Sequence, residues 1–236
     1  MYKNFSKVYD KFMEVCDYDQ WVEILEKNIN KYTKKPKKIL DLGCGTGEVL
    51  KRISNKYDCS GLDLSEQMLK RANEKLKNVK LFLGDMREFN TLEKYDVVFS
   101  FFDTVNHLTS LEDLLDTLNS VKNVLEPGGI YMFDVVDRNF MNKMFPNGVF
   151  ADVREDFSVI WEHEIDLEAS LDIIEATYFI QNKENNYEKY EEYYEKKIFT
   201  KEEIEKAIEM SGLKKECILK DTQLAGERNF YILKKL

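Results

Sequence analysis

Five short apolar runs, each separated from the next by a longer and more polar segment, constrain the fold of this chain more than any other feature. They are KILDL (38–42), YDCSGLDL (57–64), VKLFLGD (79–85), YDVVFSFF (95–102) and GGIYMFDVV (128–136). Each has the length of a strand and stays apolar instead of alternating, as expected of strands covered on both faces. The spacing predicts helices between them, from about Glu48 to Asn55, from Ser65 onward, and over 110–125. Ser65 suits an N-cap because its hydroxyl can accept from free first-turn amides, and EPGG after the third helix is a stop signal. Strands alternating with helices imply a parallel, doubly wound α/β sheet. Two further helices are predicted ahead of it, over 5–15 and 20–32, where Trp21, Ile24, Leu25 and Ile29 recur at helical spacing.

The alternation breaks at about Val149. FSVIWEHEIDL, LDIIEATYFIQN and NYEKYEEYYEKKIF are rich in Ile, Val, Thr and aromatics with partial period-two alternation, and QNKENN reads as a turn. These features predict an antiparallel β subdomain over 149–198, inserted into an α/β domain formed by 1–148 and 199–236. TKEEIEKAIEMSG then reads as a helix, with Thr200 and Glu203 forming a capping box and Gly212 a glycine stop. LKKECILKD and RNFYILKK supply two last strands, expected as a hairpin on the sheet edge.

Charge and composition narrow the function. The net charge is −9, and residues 151–200 carry all of it, with 14 Asp/Glu against 5 Lys/Arg. No basic stripe is present to hold a phosphate backbone, so a nucleic-acid partner is not expected. No apolar run approaches the ~20 residues of a membrane span. The N-terminus lacks a signal peptide's apolar centre. Cys16, Cys44, Cys59 and Cys217 show no CxxC pairing, and His occurs only at His107 and His163. A disulfide framework and a metal site are therefore not expected, and a cytoplasmic location is.

The stretch ILDLGCGTGEVL packs Gly43, Gly45 and Gly47 between the first strand and its helix. Ligands of such folds bind beyond the carboxyl ends of the strands, where glycine lets them approach the backbone. Asp63 and Asp85 end the next two strands. A carboxylate at Asp63 suits ribose hydroxyls. Asp85 followed by Met86 suits an adenine ring, amine to acid and face to thioether. The glycines do not match the dinucleotide spacing G-x-G-x-x-G, because the third comes one residue early. Asp41, two residues before the first glycine, would repel a pyrophosphate but favours an ammonium or sulfonium group. Together these residues indicate S-adenosylmethionine and disfavour a nicotinamide oxidoreductase.

ILDLGCGTGEVL, GLDLSEQML, GDMREF, YDVVFSFFDTVNHL and LEPGGIYMFDV resemble the successive motifs of class I S-adenosylmethionine-dependent methyltransferases, over about residues 36–136. The resemblance implies a seven-stranded Rossmann-like sheet and a cofactor converted to S-adenosyl-L-homocysteine without a metal. It implies that Asp41, Gly43, Cys44, Gly45 and Gly47 surround the methionine part. Asp63 would hold the ribose, Leu64, Met68, Asp85 and Met86 the adenine, and Phe101 would lie along the cofactor. The opening FSKVYDKFM, the inserted strands and the ERNFYILKK ending resemble small-molecule methyltransferases, among them sugar N,N-dimethyltransferases and glycine/sarcosine-type N-methyltransferases. In those enzymes N-terminal helices close over the cofactor and inserted strands cover the acceptor.

That narrower resemblance places Tyr9, Tyr18 and Trp21 at the entrance, and Phe102, Asp103 and Asn106 beside the acceptor. His107 falls where the sugar-amine enzymes carry a histidine, and an ordinary imidazole pKa would suit it as a base toward an amine. His163, alternating with acids in WEHEID, reads as part of a solvated strand face. Tyr187, Tyr190, Tyr193 and Tyr194 form either an aromatic floor for an ammonium group or one side of a helix, and the spacing allows both. The expected activity is methyl transfer to a nitrogen or oxygen of a small, neutral or cationic acceptor, by a monomer or homodimer. An RNA or protein methyltransferase and a non-catalytic cofactor-binding module are the alternatives. SFFD at the fourth strand end differs from the Asn/Asp-Pro-Pro-Tyr type of base and glutamine methylases.

Overall fold

The computed structural model describes residues 2–91, 93–221 and 228–236, with side chains described for all of these except residue 221. Strands β1 (Lys38–Leu42), β2 (Asp58–Asp63), β3 (Lys80–Leu83), β4 (Tyr95–Ser100) and β5 (Leu125–Val136) form the parallel part of a seven-stranded sheet. The chain-terminal hairpin β10 (Lys214–Asp221) and β11 (Arg228–Lys234) completes it, in the order β10-β11-β5-β4-β1-β2-β3. β11 runs antiparallel to both neighbours, so the sheet is mixed. The turn joining this hairpin, and Glu227 of the ERNFYILKK ending, lie outside the described residues.

Helices pack on both faces and explain the apolar strands. On one side α5 (Leu111–Val124) and α7 (Lys201–Ser211) cover Leu40, Val98, Tyr131 and Phe133. On the other, α2 (Tyr18–Tyr32) buries Trp21, Leu25 and Ile29 with Ile39, Val97, Phe99 and Met132; α3 (Glu48–Ile53) and α4 (Glu66–Lys75) lie alongside. The caps are those written in the sequence: Ser65 accepts from Met68 N, and Thr200 forms a capping box with Glu203. The EPGG segment does not stop α5 in a loop. It lies at the start of β5, where a register break between Tyr95 and Val97 of β4 takes up the extra residues.

The predicted helix over 5–15 is instead three short turns, 3-10 at Phe5–Lys7 and Met13–Val15 and α-helical only at Tyr9–Phe12, here α1. The cause is tertiary. Phe5 stacks on Tyr178 at 5.1 Å, Phe12 packs on Trp161 at 5.3 Å, and Tyr9 meets Phe5 edge-on at 5.4 Å, so contacts with the four-stranded sheet set the path of the segment. A short helix not foreseen, α6 (Arg138–Met144), follows β5, with Asp137 accepting from Phe140 N as its cap. The four strands β6 (Val149–Val153), β7 (Phe157–Asp166), β8 (Leu171–Gln181) and β9 (Tyr187–Lys197) form a separate antiparallel sheet. Its inner face packs on the N-terminal turns through Phe157, Val159, Tyr178 and Tyr194.

Two readings of this sheet are corrected. The tyrosines of 187–194 stand on a strand, and its alternation divides them: Tyr194 is buried, whereas Tyr187 and Tyr193 point to solvent on the other face. They form no common floor. His163 is not on a solvated face. Its side chain is 2% exposed, Nδ1 lies 3.0 Å from the equally buried Asp172 carboxylate, and Phe145 stacks on the ring at 4.0 Å. The acids that flank it in sequence point the other way, as strand alternation requires.

Candidate functional site

Beyond the carboxyl ends of β1, β2, β3 and β4 lies a cavity of about 310 Å³. Its wall contains Asp41, Gly43, Cys44, Gly45, Asp63, Leu64, Met68, Asp85, Met86, Phe101, Phe102, Tyr9, Tyr18 and His107, brought together from six segments of the chain. Asp41, the last polar residue of β1, is 4% exposed, and no described residue donates to it or pairs with it. Burial, and next the negative charge of Asp63, raise its pKa well above the carboxylate range. Asp63 is anchored differently. Its two oxygens accept from Gly45 N and Ser65 N, each at 2.8 Å, which ties the glycine turn to the end of β2. Gly45 holds φ +54° on the cavity wall, a conformation that other residues adopt only with strain.

Gly47 is placed elsewhere. It caps α3 at φ +79°, and a Cβ there would come 2.6 Å from Leu76 Cδ1, so its glycine serves helix entry and packing, not the cavity. Leu64, 52% exposed, and the half-buried Met86 both border the cavity at the β2 and β3 ends. Asp85 is there too, but its carboxylate is already gripped. Arg87 donates Nε to Oδ1 at 3.0 Å and Nη2 to Oδ2 at 2.6 Å, and a third contact reaches Asp113 at 3.0 Å. The guanidinium holds Asp85 below the usual carboxylate range. Arg87 lines the cavity and was not foreseen.

At the end of β4 the chain turns through two consecutive left-handed residues, Phe102 (φ +62°) and Asp103 (φ +51°). Such a pair costs on the order of 1–3 kcal/mol per residue and needs support. Phe102 stacks on Trp21 at 4.0 Å and borders the cavity; Trp21 itself is 1% exposed in the core beneath it, not at an entrance. Asp103 is not on the cavity wall. Its oxygens meet Lys196 Nζ at 2.6 Å and Arg228 Nη1 at 3.0 Å, and its amide donates to Asp134 Oδ2 at 3.0 Å. Arg228 also donates to Asp134 at 2.6 Å. Burial would raise Asp103, but the two cations hold it far below the carboxylate range. Asp103 is thus a member of a buried ion cluster, with Asp134, Lys196 and Arg228, none of which sequence motifs single out.

Asn106 is also withdrawn from the cavity. Its Nδ2 donates to the carbonyl of Lys197 at 2.8 Å and weakly to that of Val136 at 3.4 Å, and its Oδ1 accepts from Val136 N at 3.1 Å. Both of its donors and its carbonyl oxygen go to clamping the ends of β5 and β9 around the turn Thr104–His107. The next residue, His107, faces the cavity. Its Nε2 lies 2.9 Å from the Tyr2 hydroxyl, and its Nδ1 is buried with no hydrogen-bond partner among the described residues. Burial, and next the charge of Lys196, push its pKa down to about 3, so the ring is neutral at physiological pH. The ordinary pKa expected from sequence is not what this site provides. Tyr2 was missed because a tyrosine near a chain start carries no motif; it reaches the cavity only because the N-terminal turns fold over it.

Those turns are clasped to the glycine loop. Thr46 donates to Asp10 Oδ1 at 2.5 Å, and Lys75 bridges Asp10 (2.8 Å) and Glu48 (2.7 Å). On the far side Lys11 pairs with Asp156, and Arg154 donates to the Lys11 carbonyl and to Glu14. Among the described residues no His/Cys/Asp/Glu cluster could hold a metal, and no helix is long and apolar enough to cross a membrane.

The order β10-β11-β5-β4-β1-β2-β3, with a glycine turn after β1 and carboxylates at the ends of β1 and β2, defines the class I methyltransferase architecture. The comparisons agree. Residues 39–129 match the methyltransferase domain family. The putative methyltransferase YqeM of Bacillus subtilis is 34% identical over 226 residues, spanning 94% of this chain and 90% of that protein. A dTDP-3-amino-3,4,6-trideoxy-alpha-D-glucopyranose N,N-dimethyltransferase of Streptomyces venezuelae is 34% identical over 152 residues, 63% of each chain. The crystal structure of an S-adenosylmethionine-dependent methyltransferase from Clostridium acetobutylicum superposes with a TM-score of 0.86 at 24% identity, covering 99% of this chain and 98% of that one. The chain belongs to the class I S-adenosylmethionine-dependent methyltransferases and is an enzyme of that family.

Proposed function

We propose that the enzyme methylates a nitrogen of a small molecule, with the cofactor at the glycine-loop end of the cavity and the acceptor between Phe102, Tyr2, Tyr9 and His107. One observation carries this reading. A single cavity of about 310 Å³ joins an unpaired buried carboxylate, Asp41, at one end to a neutral imidazole–phenol pair, His107–Tyr2, at the other. An enclosure of that size, roofed by the N-terminal turns, suits a small acceptor better than a folded macromolecule.

The residues present fit S-adenosylmethionine. Asp41 offers an uncompensated carboxylate, which a cationic ligand would satisfy. Asp63, fixed by two backbone amides, presents its remaining lone pairs toward ribose hydroxyls. Leu64 and Met86 supply apolar surfaces for the adenine, and Asp85 accepts from its amine while Arg87 fixes the carboxylate's orientation. When bound, the cofactor supplies an electrophilic methyl group on a sulfonium.

The chain then has to orient the acceptor and exclude water. Tyr2, Tyr9 and Tyr18 close the roof, and Phe101 and Phe102 form an apolar floor. The apolar floor beside the acceptor favours the uncharged form of an amine, the form with a free lone pair. His107, with its pKa near 3, is a hydrogen-bonding partner and not a proton reservoir. With Tyr2 bound at Nε2, the pair directs one donor or acceptor at the acceptor's nitrogen. The relative named as an aminosugar N,N-dimethyltransferase lends support to an amine acceptor.

The test is transfer of label from S-adenosylmethionine to panels of amino sugars, amino acids, phenols and quinols, with RNA and whole protein as controls. Label in small amines supports the proposal. Label confined to hydroxyl acceptors, RNA or protein overturns it.

A further inference from the structure

A second cavity lies on the other side of the seam that Asn106 clamps. It has a volume of about 600 Å³, is bounded by the end of β5, the start of α6, the β9–α7 junction and β11, and shares no described lining residue with the first. Val136, whose backbone Asn106 grips, lies on its wall, whereas His107, the neighbour of Asn106, lies on the wall of the methyl-transfer cavity.

Its polar lining is unlike that of the first cavity. Arg138 carries a buried Nη1 with no hydrogen-bond partner among the described residues. A guanidinium has five donors in a fixed fork, and leaving one buried and unpaired costs about 1–3 kcal/mol or more. Lys201 stands on the same wall, at the positive end of the α7 dipole. Among the described residues the lining has one carboxylate, Asp137, whose Oδ1 accepts from Phe140 N at 2.9 Å as the cap of α6. Asn229 adds a carboxamide, and Ile204 and Ile218 supply apolar surface behind the charges. Two cations against one capped carboxylate, with an apolar back wall, suit a compact oxyanion with an apolar body.

We propose that this cavity is a second ligand site, which binds a phosphate or carboxylate group through Arg138 and Lys201 and holds the ligand's apolar portion against Ile204 and Ile218. The site is independent of the methyl-transfer cavity and of the acceptor's identity. Arg138 supplies the fork and the specificity; Lys201, exposed at the mouth, adds charge.

The full-length protein is titrated by calorimetry with inorganic phosphate, phenyl phosphate and benzoate at constant ionic strength in chloride. Saturable binding is expected, tighter for an aromatic probe than for inorganic phosphate, and the phenyl phosphate and benzoate arms decide between phosphate and carboxylate. Arg138→Gln should weaken it at least about tenfold and Lys201→Gln by about two- to fivefold, with S-adenosylmethionine affinity unchanged in both. Absence of saturable binding of all three probes up to about 10 mM overturns the proposal. So does undiminished binding by Arg138→Gln. Should Arg138→Gln lose S-adenosylmethionine binding through misfolding, Arg138→Lys replaces it, and wild-type affinity in that variant together with Lys201→Gln counts against the site.

Discussion

Asp41 and Asp63 are two carboxylates on one cavity wall with different partners, and their variants should behave differently. Asp63 has both oxygens engaged by backbone amides, so Asp63→Ala removes the tie between the glycine turn and β2 and, with the cofactor placed as proposed, a ribose contact. Its affinity for S-adenosylmethionine should fall by about 1–3 kcal/mol, read by calorimetry. Asp41 has no partner, and burial holds its folded-state pKa well above the ordinary value. A raised acid pKa means that Asp41 favours folding at low pH and loses that contribution as pH rises through its folded value. A cationic ligand reverses the preference. Cofactor binding should therefore release a proton and tighten with increasing pH, which calorimetry in buffers of different ionisation enthalpy detects. Asp41→Asn should abolish the proton release.

His107 has the opposite sign. Its folded-state pKa of about 3 lies below the ordinary 6.5, so the neutral ring contributes stability above pH 6.5, and that contribution is lost as pH falls toward 3. In His107→Asn the acid limb of stability against pH should be shallower by up to about 1.4 kcal/mol per pH unit between those values, and unchanged above them. Urea unfolding at a series of pH values measures this. Equal slopes in the two proteins would remove the assignment. Tyr2→Phe, which deletes one hydroxyl at 2.9 Å, should raise the KM for the acceptor while leaving cofactor affinity intact.

At the scale of elements, the N-terminal turns are the part whose form the sequence did not reveal. Phe5, Val8, Tyr9 and Phe12 recur with helical spacing, yet Phe5 and Val8 are buried in the core of the inserted sheet while Tyr9 both packs against that core and lines the cavity. Local periodicity cannot report that one segment is sandwiched between two separate partners. Phe5 is 2% exposed, so Phe5→Ala should loosen the roof at a local cost of about 3–5 kcal/mol. Proteolysis within residues 2–17 should accelerate and acceptor turnover should fall, while the seven-stranded sheet persists by circular dichroism. The strands and helices of the α/β part were legible, because each is covered on a defined face and carries its own caps. Ser65, Thr200 and Gly212 stand where the sequence placed them, since caps are satisfied within a turn or two of chain.

At the scale of the whole molecule, the cluster of Asp103, Asp134, Lys196 and Arg228 joins β4, β5, β9 and β11, including the inserted sheet and the terminal hairpin. Its members are 31 to 125 residues apart in the pairs that touch. Arg228→Leu leaves two buried carboxylates facing each other, and removal of one partner of such a cluster costs about 3–5 kcal/mol. The variant should unfold at lower urea and lose the Phe102 turn that floors the cavity. A stability equal to the wild type would show that the cluster is not what holds that turn.

The sequence by itself determined the alternation of the sheet, the glycine turn, and the carboxylates at successive strand ends, because each depends on residues within a few positions of one another. Only the tertiary structure decided which polar residues face the cavity. It turned Asp103 and Asn106 inward to distant partners, buried His163 against Asp172, brought Tyr2 to His107, and set the imidazole pKa near 3 through burial and the charge of Lys196. Those outcomes depend on desolvation and on charges far away in sequence, and neither quantity is defined until the chain has folded.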